Sequence, residues 1–207
     1  MRVSAAFPAV AVALPAFVLA GAGLTHPIRL TASTATWWMN LHVLLLPIFP
    51  LLAAAQWTML DRAPAVLRVI GRSAASGFAI YYDGLDAVDG IAAGAVVHAH
   101  HGYAAGDTAI FTIGDRLGRW GAWCFLLASA VIVTTYAIRV WWAALPGAVV
   151  LLTAAVSFLD SHIFWPRGVF TMIGIGTGLA LLTLADAHRS AHQDASLPTN
   201  VRVSYGA

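Results

Sequence analysis

Six long apolar stretches separated by short polar segments restrict the fold of this chain more than any other feature. They cover residues 6–24, 37–60, 73–97, 120–138, 140–159 and 169–185. A helix needs about 20 mostly apolar residues to cross the hydrocarbon core of a bilayer. In lipid the backbone must satisfy its own hydrogen bonds, so only helices and closed barrels span, and these runs are too long for barrel strands. The expected fold is all-α: a polytopic membrane helical bundle with six transmembrane helices. The bundle is expected over residues 1–187, with a polar, loosely ordered tail over 188–207. Composition agrees, with 60% apolar and only 10% charged residues. Soluble domains carry about 25% charged residues.

The first stretch also resembles a secretory signal. Arg2 supplies a basic start, and Ala20-Gly21-Ala22 resembles a cleavage site. Pro8 and Pro15 inside the apolar run favour its retention as a span. With six spans both termini share a side. Arg2, Arg62, Arg68, Arg72, Arg139, Arg189 and Arg202 then lie on that side, and Arg29, Arg116, Arg119 and Arg167 lie on the other. The excess of arginine predicts that both termini are cytoplasmic and that the protein is integral to the cell (bacterial inner) membrane.

Residue types that are missing exclude several functions. The sequence contains no Lys and no Glu. A retinal Schiff base and a phosphate-binding loop both need lysine, so neither is available. The single Cys124 rules out an intrachain disulfide, a Cys-x-x-Cys redox pair and a cysteine-ligated cluster. A net charge of +2 does not suggest nucleic acid as a partner. The expected partners are membrane lipid, an apolar small molecule, and a second copy or a companion membrane subunit.

The segment "YYDGLDAVDGIAAG", residues 81–94, places Asp83, Asp86 and Asp89 inside the third stretch. An ionised Asp at a helix centre costs roughly 2.5–3.5 kcal/mol on insertion scales. Three of them must face the bundle interior or water, be protonated, or have a cationic partner. At i, i+3 and i+6 they spread over roughly 120° of an α-helix. Other polar residues fall at a similar depth: His26 in the first outer loop, Asn40 and His42 in the second span, His98, His100 and His101 after the third, and Asp160 and His162 between the fifth and sixth. Pro47 and Pro50 free backbone carbonyls near Val43 and Leu46, and such a kink would open a pocket beside His42.

Asp and neutral His are suitable ligands for a divalent metal such as zinc, copper or iron, whose charge would offset the buried acids. The expected ligands are His42, Asp86, Asp89, Asp160 and His162, with His98 and His101 in a second tier. Asp83 is expected to link this site to the middle of the bundle. Asp86 and Asp89 are also the candidate catalytic groups for an enzyme acting on an apolar or lipid-like substrate. Two alternatives come from the same residues. One is a proton- or ion-coupled transporter, for which the three acids form a partial ladder. The other is a non-catalytic membrane subunit of a larger complex. Haem on His42 with His98 or His162 has no motif behind it, and His188-x-x-x-His192 sits in the polar tail.

Asp86-x-x-Asp89-Gly90-x-x-Ala93 resembles the opening of the CDP-alcohol phosphotransferase motif, whose carboxylates hold a divalent metal and a CDP-linked substrate. The likeness covers about eight residues. It stops at Gly94, where that family carries Arg, and no Asp-x-x-x-Asp follows at the required distance. The resemblance therefore carries no assignment of function.

Overall fold

A computed structural model describes residues 6–196. Among these residues the chain is all-helical and forms five helical bodies rather than six. Helix α1 (Ala6–Gly23) is followed by α2 (Ala35–Leu45) and α3 (Ile48–Met59), which together make the second body. The third comprises α4 (Ala65–Leu85), a π-helical turn (Asp86–Ala92) and α5 (Ala93–His100). The fourth holds α6 (Asp107–Val140), a short 3-10 turn (Trp141–Ala144) and α7 (Leu145–Phe158), and α8 (Arg167–Ser196) is the fifth.

Four of the bodies are long and apolar enough to cross a membrane: Ala6–Gly23, Ala35–Met59, Asp107–Phe158 and Arg167–His192. The third body, expected from sequence to be a span, does not meet that standard. Arg68, Arg72 and the three aspartates make it too polar. It is held instead by packing, since Gly77 and Gly84 let α4 lie against Cys124 and Leu117 of α6. Ala75 and Phe78 are fully buried there.

The six-helix expectation loses its count in the fourth body. Trp141 adopts φ 52° and ψ −124° and ends α6. The chain then reverses through this one non-helical residue and the short 3-10 turn. Gly114 near the start of α6 lies against Asp89, Arg139 near its end bonds Asp186, and Phe158 at the end of α7 stacks on Tyr82. Helices α6 and α7 therefore run in opposite directions. Two further expectations change. Helix α6 begins at Asp107, well before the predicted start near Trp120, and α8 continues through Ser196, so residues 188–196 are helical. The rest of the predicted tail, 197–207, lies outside the described residues. Residues 65–72 form the first turns of α4.

Glycine sets how closely the bundle closes. A Cβ at Gly178 would lie 2.7 Å from the Leu151 backbone nitrogen, and one at Gly147 would lie 2.9 Å from that of Leu182. Only glycine lets α7 and α8 approach so nearly, as expected where lipid supplies no hydrophobic drive between helices. Large apolar side chains cover the outside, including Phe7, Val10, Ile80 and Ile138. Such a surface suits acyl chains and not water. The polar groups collect at two ends. Arg62 and Arg139 meet Asp186, and Arg72 pairs with Asp61, at one end. Six of the eight histidines, His26, His42, His98, His100, His101 and His162, lie at the other.

A candidate metal centre of three histidines

His26, His42 and His162 come together at the histidine end. Each offers one nitrogen, and the three nitrogens lie within 4.8 Å of one another. The residues arrive from separate parts of the chain. His26 follows α1, His42 sits inside α2, and His162 lies between α7 and α8. The α1–α8 contact makes the meeting possible, because Gly23 packs directly on the backbone of Ile163.

The hydrogen bonds orient all three rings. Nδ1–H of His42 donates to the carbonyl of Trp38 at 2.7 Å, and Nδ1–H of His26 donates to the carbonyl of Pro27 at 2.7 Å. A carbonyl can only accept, so in both neutral rings the proton is on Nδ1 and the lone pair on Nε2. Those two Nε2 atoms face each other at 3.5 Å. Two lone pairs at that distance have no proton to share. Nδ1 of His162 bonds the Tyr82 hydroxyl at 3.0 Å, and its buried Nε2 has no partner among the described residues. Two acceptor nitrogens thus face each other, and the unpartnered Nε2 of His162 converges on them; it becomes a third acceptor when its Nδ1–H donates to the Tyr82 oxygen. Tetrahedral zinc with Zn–N bonds of about 2.0–2.1 Å would set its nitrogens about 3.3 Å apart. The His26–His42 separation is close to that value. Outer partners on the remote ring nitrogen are what metal-bound histidines generally have.

Burial also holds the two loop histidines neutral. Removal from water lowers the His26 pKa to about 4, with His42 adding to the effect and the Pro27 bond opposing it. His162 is pushed well below the ordinary range by burial first, then by His26 and His42.

A cavity of about 430 Å³ opens beside this cluster. His42, His162 and Tyr82 line one part of it, and Asp89, Asp115 and Arg119 line another. Phe111, Phe158 and Phe164 supply apolar wall. The size falls within the range of small-molecule sites. Asp89 reaches the cavity because of two local features. The π-helical turn widens the helix at Asp86–Ala92, a feature frequent at functional sites. Gly114 then leaves room for the carboxylate, since a Cβ there would lie 2.5 Å from Oδ2 and nearer still to Oδ1. Trp38 joins the two sides of the site. Its indole N–H donates to the Asp89 carbonyl at 2.9 Å, while its own carbonyl accepts from His42.

The other residues singled out by sequence lie as follows. Asp86 is fully buried, and among the described residues neither carboxylate oxygen has a partner, but it does not line the cavity. Asp83 is half-buried and also outside the cavity lining. Asp160 lines the cavity but is exposed and stands 4.0 Å from Arg167. His98 is exposed and bonds Thr36 at 3.2 Å, and His101 is exposed in the left-handed cap of α5. Neither joins the cluster, because α5 carries them past it. Asn40 is exposed. Sequence position puts His26 at the level of the other two without marking it as a ligand. The signal is its position two residues beyond the first apolar stretch, at the level of His42 and His162.

Comparison with protein-family models, with curated proteins and with solved structures finds no match. The fold and site therefore define the class directly: an all-helical protein with several helices able to cross a membrane and a three-histidine cluster at one end.

Proposed function

We propose that the protein is an integral membrane metalloprotein whose His26, His42 and His162 hold a divalent transition metal, zinc before copper or iron. The observation that carries this reading is the convergence of three ring nitrogens, two of them fixed as acceptors and the third without a partner, whose other ring nitrogens are already bonded. Three histidines with an open fourth position form a known catalytic zinc arrangement. A metal there would lower the pKa of bound water and supply a hydroxide nucleophile. Asp89, on the same cavity, is the group to take the proton. Asp86, buried behind it, serves to tune Asp89 rather than to react. The apolar walls favour hydrolysis of an apolar or lipid-like ester or amide.

The break at Trp141 lets the fourth body cross twice, and packing carries the third body through the bundle. The chain then crosses six times, with both termini at the arginine-rich, cytoplasmic end of a bacterial inner membrane. The transport reading gains less support. Phe49, Phe78, Phe125 and Phe158 are almost fully buried and pack around Tyr82. Beyond them the next buried polar groups, Gln56 and Ser129, bond each other at 3.2 Å. This aromatic layer interrupts a polar path through the bundle.

The test is elemental analysis of the detergent-purified protein after zinc loading and removal of free metal. Retained, stoichiometric zinc is expected, lost in His26→Ala, His42→Ala and His162→Ala and kept in His98→Ala and His101→Ala. A folded wild type without metal under these conditions, or equal loss in the last two variants, overturns the assignment.

A further inference from the structure

A second site lies on the outside of α6. Arg116, Arg119, Trp120 and Trp123 line a shallow surface groove of about 340 Å³. Their spacing of i, i+3, i+4 and i+7 puts them on one helix face. Trp120 is 63% exposed and Trp123 53%, so two indoles stand free beside two guanidinium groups. Among the described residues neither arginine makes an ion pair or a side-chain hydrogen bond, although Asp115 lies one turn before Arg119.

The depth of this groove identifies what it meets. Arg139 marks the opposite end through its bond to Asp186. The rise from Arg119 to Arg139 along α6 is about 30 Å at 1.5 Å per residue. The hydrocarbon core has the same thickness, about 30 Å. With Arg139 at one interface, Arg116 and Arg119 are therefore at the headgroup level of the other. Trp120 and Trp123 sit just below them, where an indole can contact both acyl chain and headgroup. Two unpaired guanidinium groups at that level match the oxygens of a phosphodiester, and arginine suits such planar recognition better than lysine.

We propose that this face of α6 binds the headgroup of an anionic phospholipid from the leaflet at the histidine end. The phosphate lies between Arg116 and Arg119, and the upper acyl chains lie along Trp120 and Trp123. Arg119 also lines the cavity beside the histidines. A lipid held here has its polar end at the cavity's edge. The lipid site itself does not depend on the metal.

The experiment is native mass spectrometry of the detergent-solubilised protein, titrated with phosphatidylglycerol, with phosphatidylcholine and with inorganic phosphate. Phosphatidylglycerol is expected to bind at least fivefold more tightly than phosphatidylcholine. Arg116→Gln with Arg119→Gln should remove that preference. Arg29→Gln, which removes an exposed charge at the same end, should leave it unchanged. Replacing both arginines by Lys should weaken binding while keeping the net charge, which separates a shaped site from general attraction. Equal binding of the two lipids, an unchanged preference in the double Gln variant, equal loss in Arg29→Gln, or an acidic protein co-purifying through these arginines in place of lipid would each overturn the proposal. Binding of inorganic phosphate as tightly as the lipid would do so too, because the indoles would then have no part. Thermal melting of each variant in the same detergent confirms that the folded chain is compared.

Discussion

The sharpest prediction concerns Gly90, which carries no functional group. A Cβ built there would lie 2.5 Å from Cβ of His42 and closer still to two ring carbons. Carbon atoms pack at about 3.5–4.0 Å. In Gly90→Ala the imidazole must therefore retreat by more than about 1 Å. Metal–ligand distances tolerate only about 0.2 Å. The His42 Nε2 atom would leave the cluster, with its Nδ1 bond to Trp38 strained or lost. The expected result is a fall in zinc affinity of more than about 100-fold, beyond the 10–100-fold typical when only an outer partner is removed. Overpacking should also cost about 1–3 kcal/mol of stability. Gly94→Ala separates the two effects. There the new Cβ would meet Met39 at 3.1–3.3 Å, one turn further along the same helix pair, without touching a histidine. Zinc affinity is measured by competition with a chromophoric chelator, and stability by thermal melting in detergent. If folded Gly90→Ala binds zinc as tightly as Gly94→Ala, His42 is not a ligand and the reasoning fails.

Three other outcomes follow from the same geometry. Tyr82→Phe deletes the hydroxyl that holds Nδ1 of His162 and should weaken zinc binding about 10–100-fold while the melting temperature changes little; the same competition assay reads it. Asp89→Asn should keep stoichiometric zinc yet lower hydrolysis of a short-chain lipid ester by about 100-fold or more, since only a proton acceptor is lost; unchanged turnover removes Asp89 from the mechanism. At the opposite end, Arg139→Gln breaks a partly buried pair 2.7 Å from Asp186. Its cost should fall between exposed and fully buried pairs, about 1–3 kcal/mol, with zinc affinity unaffected.

Much of the fold could be read from apolar run length. The first two predicted stretches and the last fall on helical bodies because hydrocarbon imposes a minimum length on any span. The third and fourth bodies were harder. Residues 65–100 carry five charges whose cost depends on neighbours, and run length says nothing about neighbours. The extension of α6 back to Asp107 was hidden because Thr108, Asp115, Arg116 and Arg119 look like a loop to a hydropathy reading, although they lie on a continuing helix.

The candidate site was legible in depth and not in direction. Placing Asp and His at one level pointed to the end of the bundle where three histidines meet, two of them His42 and His162. Which side chains turn inward was beyond that argument. The π-helical turn sends Asp89 to the cavity and Asp86 behind it, and an α-helical spacing treats the two as equivalent. His98 and His101 share the depth but point outward from the end of α5. His26 joins through a loop, where periodicity has nothing to report and its inward aim depends on the bond to Pro27.

The three histidines also order events in biogenesis. His26 emerges early from the ribosome and His42 soon after, but His162 comes late, and α8 must dock on α1 before it can reach them. During insertion the nascent chain holds two rings of a three-ring site, with the last missing until the final hairpin is in place. Metal capture would then mark completed assembly, and a chain truncated before the last helix should reach quality control as empty, loosely closed protein.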